Sequence, residues 1–426
     1  MKIKFLCLPL AGIVLALTSS CENQLSSAIK SEAISIVSVT ITAPSANQLP
    51  DTEASGGGNF TVASVSWTPD DHTFMVYKVY TVSISLKAMD GFFFANNLSA
   101  AINGQTASVS GGGAVTLSYT FAEIPDSANI GMDGTPGKPF KVYDVATLKR
   151  VGTEPTGGWS LIADYEQTAD IVLPPVVAGE SNWTAIGSYG NSDANSFRGI
   201  YDGGGHTISN LTINAAAADN QGMFGYLVNN STVKNIGIIN GNVRGRDNIG
   251  GVTGLNNGGT IQNCYFSGSV TGGNDTGGIV GENNGTVQNC YSTGNVSGGA
   301  GTAGGVAGSN SRTVQNCAAL NYSVITSHTS SAVGRIVGEH NSGTLANNYA
   351  HSDMILKHNW ANNDGIDKTP ISNSGGVDGA SISAEQYNSE DWWKNTGNWK
   401  TDGAFAWDFY TVWEWDSAAG LPVLRK

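Results

Sequence analysis

The chain has 426 residues, of which 13% are charged and 56 are glycine, and its 21 Lys and Arg stand against 34 Asp and Glu for a net charge of -13. That length exceeds what one hydrophobic core usually serves and predicts two or three folding units. Scarce charge with abundant Gly, Ser, Thr and Asn disfavours long helices. The acidic balance makes nucleic acid a poor partner, since few cations are present to replace its counterions.

At the start, Lys2 and Lys4 precede an apolar run from Phe5 to Leu17 and then Thr18-Ser19-Ser20-Cys21. A charged, apolar, small-residue order is of secretory type, and the run is too short to span a bilayer. Residues 1–21 resemble a bacterial lipoprotein signal, which implies that Cys21 becomes the lipidated residue and that the membrane is a partner through this anchor. A plain cleaved signal is the alternative. Residues 22–33 are polar and aperiodic and read as a flexible tether.

Residues 34–124 alternate with period two at Val37, Val39 and Ile41, at Val82, Ile84 and Leu86, and at Val115, Leu117, Tyr119 and Phe121. Five or more strands with one buried face predict an antiparallel sandwich of immunoglobulin-like type, ending near Pro125. The stretch from Tyr80 to Phe94 with Ile102-Asn-Gly-Gln-Thr-Ala resembles Ig-like modules of treponemal and other bacterial surface proteins. A spacer role is expected, with ligand binding in the loops as the competing one.

From residue 135 to 384 the sequence repeats. Val233, Ile261, Val287, Val314 and Leu345 are separated by 28, 26, 27 and 31 residues, and Asn235, Asn263, Asn289, Asn316 and Asn347 follow each by two. Glycine-bracketed pairs such as Gly278-Ile-Val-Gly281 precede each phrase, with Asn-Asn-Gly-type turns between. One such unit cannot bury its few apolar residues alone, whereas stacking units about 4.8 Å apart pairs the strands and aligns like residues. The expected fold is therefore all-β, a parallel β-helix solenoid behind the sandwich. Residues 277–296, Gly-Gly-Ile-Val-Gly-Glu-Asn-Asn-Gly-Thr-Val-Gln-Asn-Cys-Tyr-Ser-Thr-Gly-Asn-Val, resemble the GLUG repeat of bacterial surface proteins and adhesins. Residues 385–426, rich in Trp, are similar to the tail of such arrays and read as a cap over the last coil.

The candidate sites follow from the repeat. Cys264, Cys290 and Cys317 recur in one phrase and are odd in number, so they predict a buried column of thiols rather than a disulfide framework or metal site. The asparagines can form an amide ladder, and Tyr265, Tyr291 and Tyr349 a stacked or exposed aromatic row. Asp219, Asp247 and Asp275, spaced by 28 and 28, can line one edge and hold calcium, against a reading as solvated turn residues. The six histidines show no His-Glu-x-x-His pair. No catalytic residue or cofactor is expected.

The resemblance implies a non-enzymatic, lipid-anchored protein of the outer membrane or cell surface with an adhesin-like role toward a host or matrix protein or glycan. The rivals are a carbohydrate-active β-helix enzyme with carboxylates near Asp193, Asp202 or Asp364, and a purely architectural envelope component.

Overall fold

The computed structural model describes residues 31–46, 48–112, 114–154, 158–190, 193–328, 332–358, 366–399 and 407–426. The signal, Cys21, Asp364 and most of the tether lie outside these residues. The chain divides into two compact units between Ser127 and Ala128.

The first unit is a pair of four-stranded sheets. One runs in the order Ser55–Gly56, Glu32–Thr40, Phe92–Ile102, Gln105–Thr106, the other Phe60–Thr68, Thr81–Ala88, Val115–Thr120, Ser108–Gly111. The first strand thus begins inside the segment read as tether. Alternation dictates the register: Val82, Ile84 and Leu86 point inward opposite Tyr119, Leu117 and Val115. Glu32–Thr40 pairs in parallel with Phe92–Ile102, a departure from a wholly antiparallel sandwich. Tyr80 is buried and its hydroxyl donates to Asp71 Oδ2 at 2.6 Å. Burial and that carboxylate push the phenol up to about 12.

The second unit is a parallel β-solenoid. One inward column contains eight residues in register, Phe140, Tyr165, Tyr201, Val233, Ile261, Val287, Val314 and Leu345. A second runs Ile213, Val243, Val270, Val296, Val324, Leu356. Two further walls complete each coil. One stacks Phe224–Val228, Thr253–Asn257, Val280–Asn283, Ala307–Asn310 and Val337–His340, and the other Asp247–Gly250, Asn274–Gly277, Ala303–Gly304 and Val333–Gly334. The enclosed space is a single apolar core that begins with large rings, Phe140, Trp159, Tyr165 and Phe197, and continues with Val, Ile, Ala and Cys.

Closure of the last coil is by residues 368–382. Val377 O accepts from Ile336 N and Val337 N at 2.9 and 3.0 Å, and Ala380–Ile382 pairs with Tyr349–His351. The four preceding coils have glycine, Gly222, Gly251, Gly278 and Gly305, where the last has Arg335, because a Cβ at Gly278 would lie 2.1 Å from Gly305 O, and one at Gly305 would lie 2.3 Å from Arg335 O. At the last coil a side chain fits. Arg335 is fully buried there, its Nε donating to Asp378 O at 3.0 Å and its Nη2 to Gly379 O at 3.1 Å. Burial lowers its pKa, partly offset by Asp378.

The tryptophan-rich segment is therefore not a lid on the last coil. It lies along the flank of the stack, over the outward row Tyr265, Tyr291, Ala318 and Tyr349. Trp392 and Trp399 meet Tyr349 at 5.0 and 5.1 Å, Trp413 meets Tyr291 at 6.1 Å, and Lys426 Nζ reaches Asp170 at 2.6 Å. Large rings gain most on a broad apolar surface, which the tyrosine row supplies. The rim of a β coil presents backbone donors and acceptors instead.

Candidate functional site

The repeat phrases converge as columns of like side chains. Asn235, Asn263, Asn289, Asn316 and Asn347 all occupy the left-handed corner, with φ between 50° and 53°. Asn tolerates that conformation because its short side chain bonds locally. Asn263 Nδ2 donates to Asn235 Oδ1 at 3.0 Å and Asn289 Nδ2 to Asn263 Oδ1 at 3.3 Å. Asn235 Nδ2 in turn donates to Asp202 Oδ1 at 3.0 Å, so a carboxylate ends the ladder. Asp202 also pairs with Lys234 at 2.9 Å. It is spent on structure, and Asp193 stands in an exposed turn on a different segment.

Cys264, Cys290 and Cys317 stack inward directly after these corners, each fully buried and free. Each sulfur donates to the carbonyl two residues back, at 3.1 to 3.2 Å. Burial raises the Cys290 and Cys317 thiols well above their ordinary value. Ile236 lies below the column and Asn348 above it, where Asn348 Oδ1 accepts from Cys317 N at 3.0 Å.

Two more ladders escaped the sequence reading. Asn256, Asn283 and Asn310, fully buried, are joined by Asn256 Nδ2 to Asn283 Oδ1 at 2.8 Å and Asn283 Nδ2 to Asn310 Oδ1 at 2.7 Å. Gln262, Gln288 and Gln315 form an outer rank at 2.9 and 3.0 Å. Their 27- and 26-residue spacings were visible, but Asn-Asn-Gly reads as a turn, and only the register shows that the first Asn points inward.

The three aspartates do not share a column. Asp247 is in register with Asn274, which puts Asp275 opposite Asn248. The reason is arithmetic: Gln221 pairs with Ile249, a 28-residue step that leaves Asp219 level with Asp247, whereas the next coil is 27 residues long, so only Asp275 slips by one and turns elsewhere. Asp219 instead grips Arg246, accepting from Nε at 2.6 Å, and Arg246 also lies 3.4 Å from Asp247. Asp275, at φ 43°, accepts from Thr302 Oγ1 at 2.7 Å, and burial raises its carboxyl. Among the described residues no group of three His, Cys, Asp or Glu is placed to hold a metal ion.

These residues do border one groove of about 530 Å³. One wall carries Asn220, Asn248 and Asp275, and the other carries Tyr226, Leu255 and Glu282, which are successive positions in register. Asn248 Nδ2 donates to Asn220 Oδ1 at 2.9 Å. Tyr226, Leu255 and Val228 form a small apolar cluster outside the main core. Tyr189 stands at one end, 65% exposed, its ring edge-on to Tyr226 at 5.3 Å. Asp275, which accepts from Thr302 Oγ1, stands at the other end. A second hollow, of about 660 Å³, is lined by Lys149, Thr153, Ser181, Trp183 and Asn195 among others, with no carboxylate in its lining.

No family model matches the chain. It is 34% identical over 154 residues to halomucin of Haloquadratum walsbyi, a match covering 35% of this chain and 2% of that protein. The chain thus spans a small fraction of the relative's length. Among solved structures it is similar to a candidate immunoglobulin A1 protease from Bacteroides ovatus, at 22% identity and a TM-score of 0.47, over 68% of this chain and 94% of that one.

Proposed function

We propose that this is a non-enzymatic surface protein of GLUG-repeat type, held to the cell envelope by lipid on Cys21, whose solenoid serves adhesion or envelope architecture. The observation that carries the reading is the eight-deep column from Phe140 to Leu345. A chain that spends its length on stacked coils presents an extended, repetitive exterior, the usual use of such architectures. The likeness to a stretch of halomucin, a protein named as a mucin, points toward a surface setting.

Protease treatment of intact cells, followed by detection of the solenoid, tests the placement. Loss of the protein from intact cells is the expected result, and full protection overturns a surface role. Incorporation of labelled fatty acid that disappears in Cys21→Ala is expected of the anchor, and labelling unchanged by that substitution refutes it.

A further inference from the structure

We propose that the groove between Tyr189 and Asp275 is a binding site for a linear glycan of neutral or amine-bearing sugars, laid along the solenoid axis. This deepens the surface-protein reading and rests on it for biological sense, but the binding itself does not depend on a lipid anchor.

Three features of the groove select this ligand class. Its walls advance one residue per coil, so equivalent groups recur at about the 4.8 Å strand spacing. That interval is comparable to one unit of an extended pyranose chain, so successive sugars meet Asn220, Asn248 and Asp275 on one side and Tyr226, Leu255 and Glu282 on the other. Amide and carboxylate side chains offer the paired donors and acceptors that adjacent hydroxyls require. The exposed ring of Tyr189 supplies a flat platform for the apolar face of a sugar, and its position against Tyr226 holds it edge-on.

Charge narrows the class further. Asp219 is neutralised by Arg246, whereas Glu282 has an amide partner, Asn284 at 2.8 Å, and Asp275 a hydroxyl partner, Thr302 at 2.7 Å. No lysine or arginine lines the groove. Uronate or sulfated chains would meet uncompensated like charge, while hydroxyls and amines would not. A peptide strand fits less well, because the coil walls already pair their backbone groups with one another and leave no open edge to extend.

The test is calorimetric titration of the purified full chain with cellohexaose, hexa-N-acetylchitohexaose and chitosan hexamer, with hyaluronan, heparin and hexalysine as contrasts. Saturable binding of at least one of the first three, weakened at least tenfold in Tyr189→Ala and absent for the acidic polymers, is expected. Glu282→Gln should weaken the chitosan hexamer more than cellohexaose. Failure of all three to bind, binding unchanged by Tyr189→Ala, or a preference for hexalysine or heparin overturns the proposal. Circular dichroism of both variants shows that the fold is retained. Because purified protein is used, a negative result leaves the surface placement standing, and protection in intact cells leaves the glycan result standing.

Discussion

The rings of Tyr265 and Tyr291 lie 5.0 Å apart with planes 2° from parallel, and both are sealed beneath Trp413. Burial pushes the Tyr265 phenol up to about 12. Trp413 is fully buried, so Trp413→Ala should cost about 3–5 kcal/mol, read from urea unfolding. It should also let Tyr265 ionise nearer its ordinary value of about 10, seen as phenolate absorbance appearing earlier in an alkaline titration. An unchanged titration would mean that the tyrosines are shielded by something other than this contact.

The thiol column makes a graded prediction. Cys290→Ser should loosen the fold by about 1 kcal/mol, since a hydroxyl can still donate to Gln288 O, while Cys290→Asp puts a charge where no counter-ion reaches and should disrupt the array. Thermal unfolding of both variants gives the comparison, and an equal midpoint for Asp contradicts the buried column.

Reactivity offers a separate check. All three thiols are fully out of solvent, and burial holds those of Cys290 and Cys317 in the protonated form, so Cys264, Cys290 and Cys317 should resist alkylation in native protein and all react in denaturant. Peptide mass spectrometry of labelled samples would show this site by site.

Asp275 should impose a pH dependence. Its folded carboxyl is raised chiefly by burial, so its contribution is full below the unfolded value near 3.9 and is lost as pH climbs through the raised folded value. Asp275→Asn suits the left-handed corner that Asn220 and Asn248 already occupy in the same column. The variant should therefore show a flatter profile of unfolding midpoint between pH 4 and 7 and a higher midpoint at neutral pH.

Arg335 carries the last prediction. Arg335→Gly restores the residue of earlier coils but removes the donors that Asp378 O and Gly379 O receive, and should destabilise by about 3 kcal/mol. With the closing segment loosened, sedimentation should detect association through the bared coil.

Much of the architecture was legible because a 26- to 31-residue period leaves its mark on inward positions: Val233, Ile261, Val287 and Val314 cannot all be buried unless coils stack. The asparagine corners were legible for the same reason. The direction of single side chains within Asn-Asn-Gly was not, since a turn and an inward amide use the same residues. Nor was the path of the tryptophans, because the sequence shows that Trp393 and Trp413 need an apolar surface but not which one. The groove was partly visible as three acidic positions. The slip between a 28-residue spacing and the 27-residue coil that follows Asp247 hid the fact that Asp275 faces different neighbours from Asp219 and Asp247, which share Arg246.

The flank segment crosses the coils in reverse, from Tyr349 through Tyr291 and Tyr265 back to Asp170. Stacked repeats ordinarily fray from their ends, each unit depending only on its neighbours. A strand of tryptophans laid across them acts as a binding cord: a middle turn cannot peel away without first tearing it off. The solenoid is thereby made to come apart as one body.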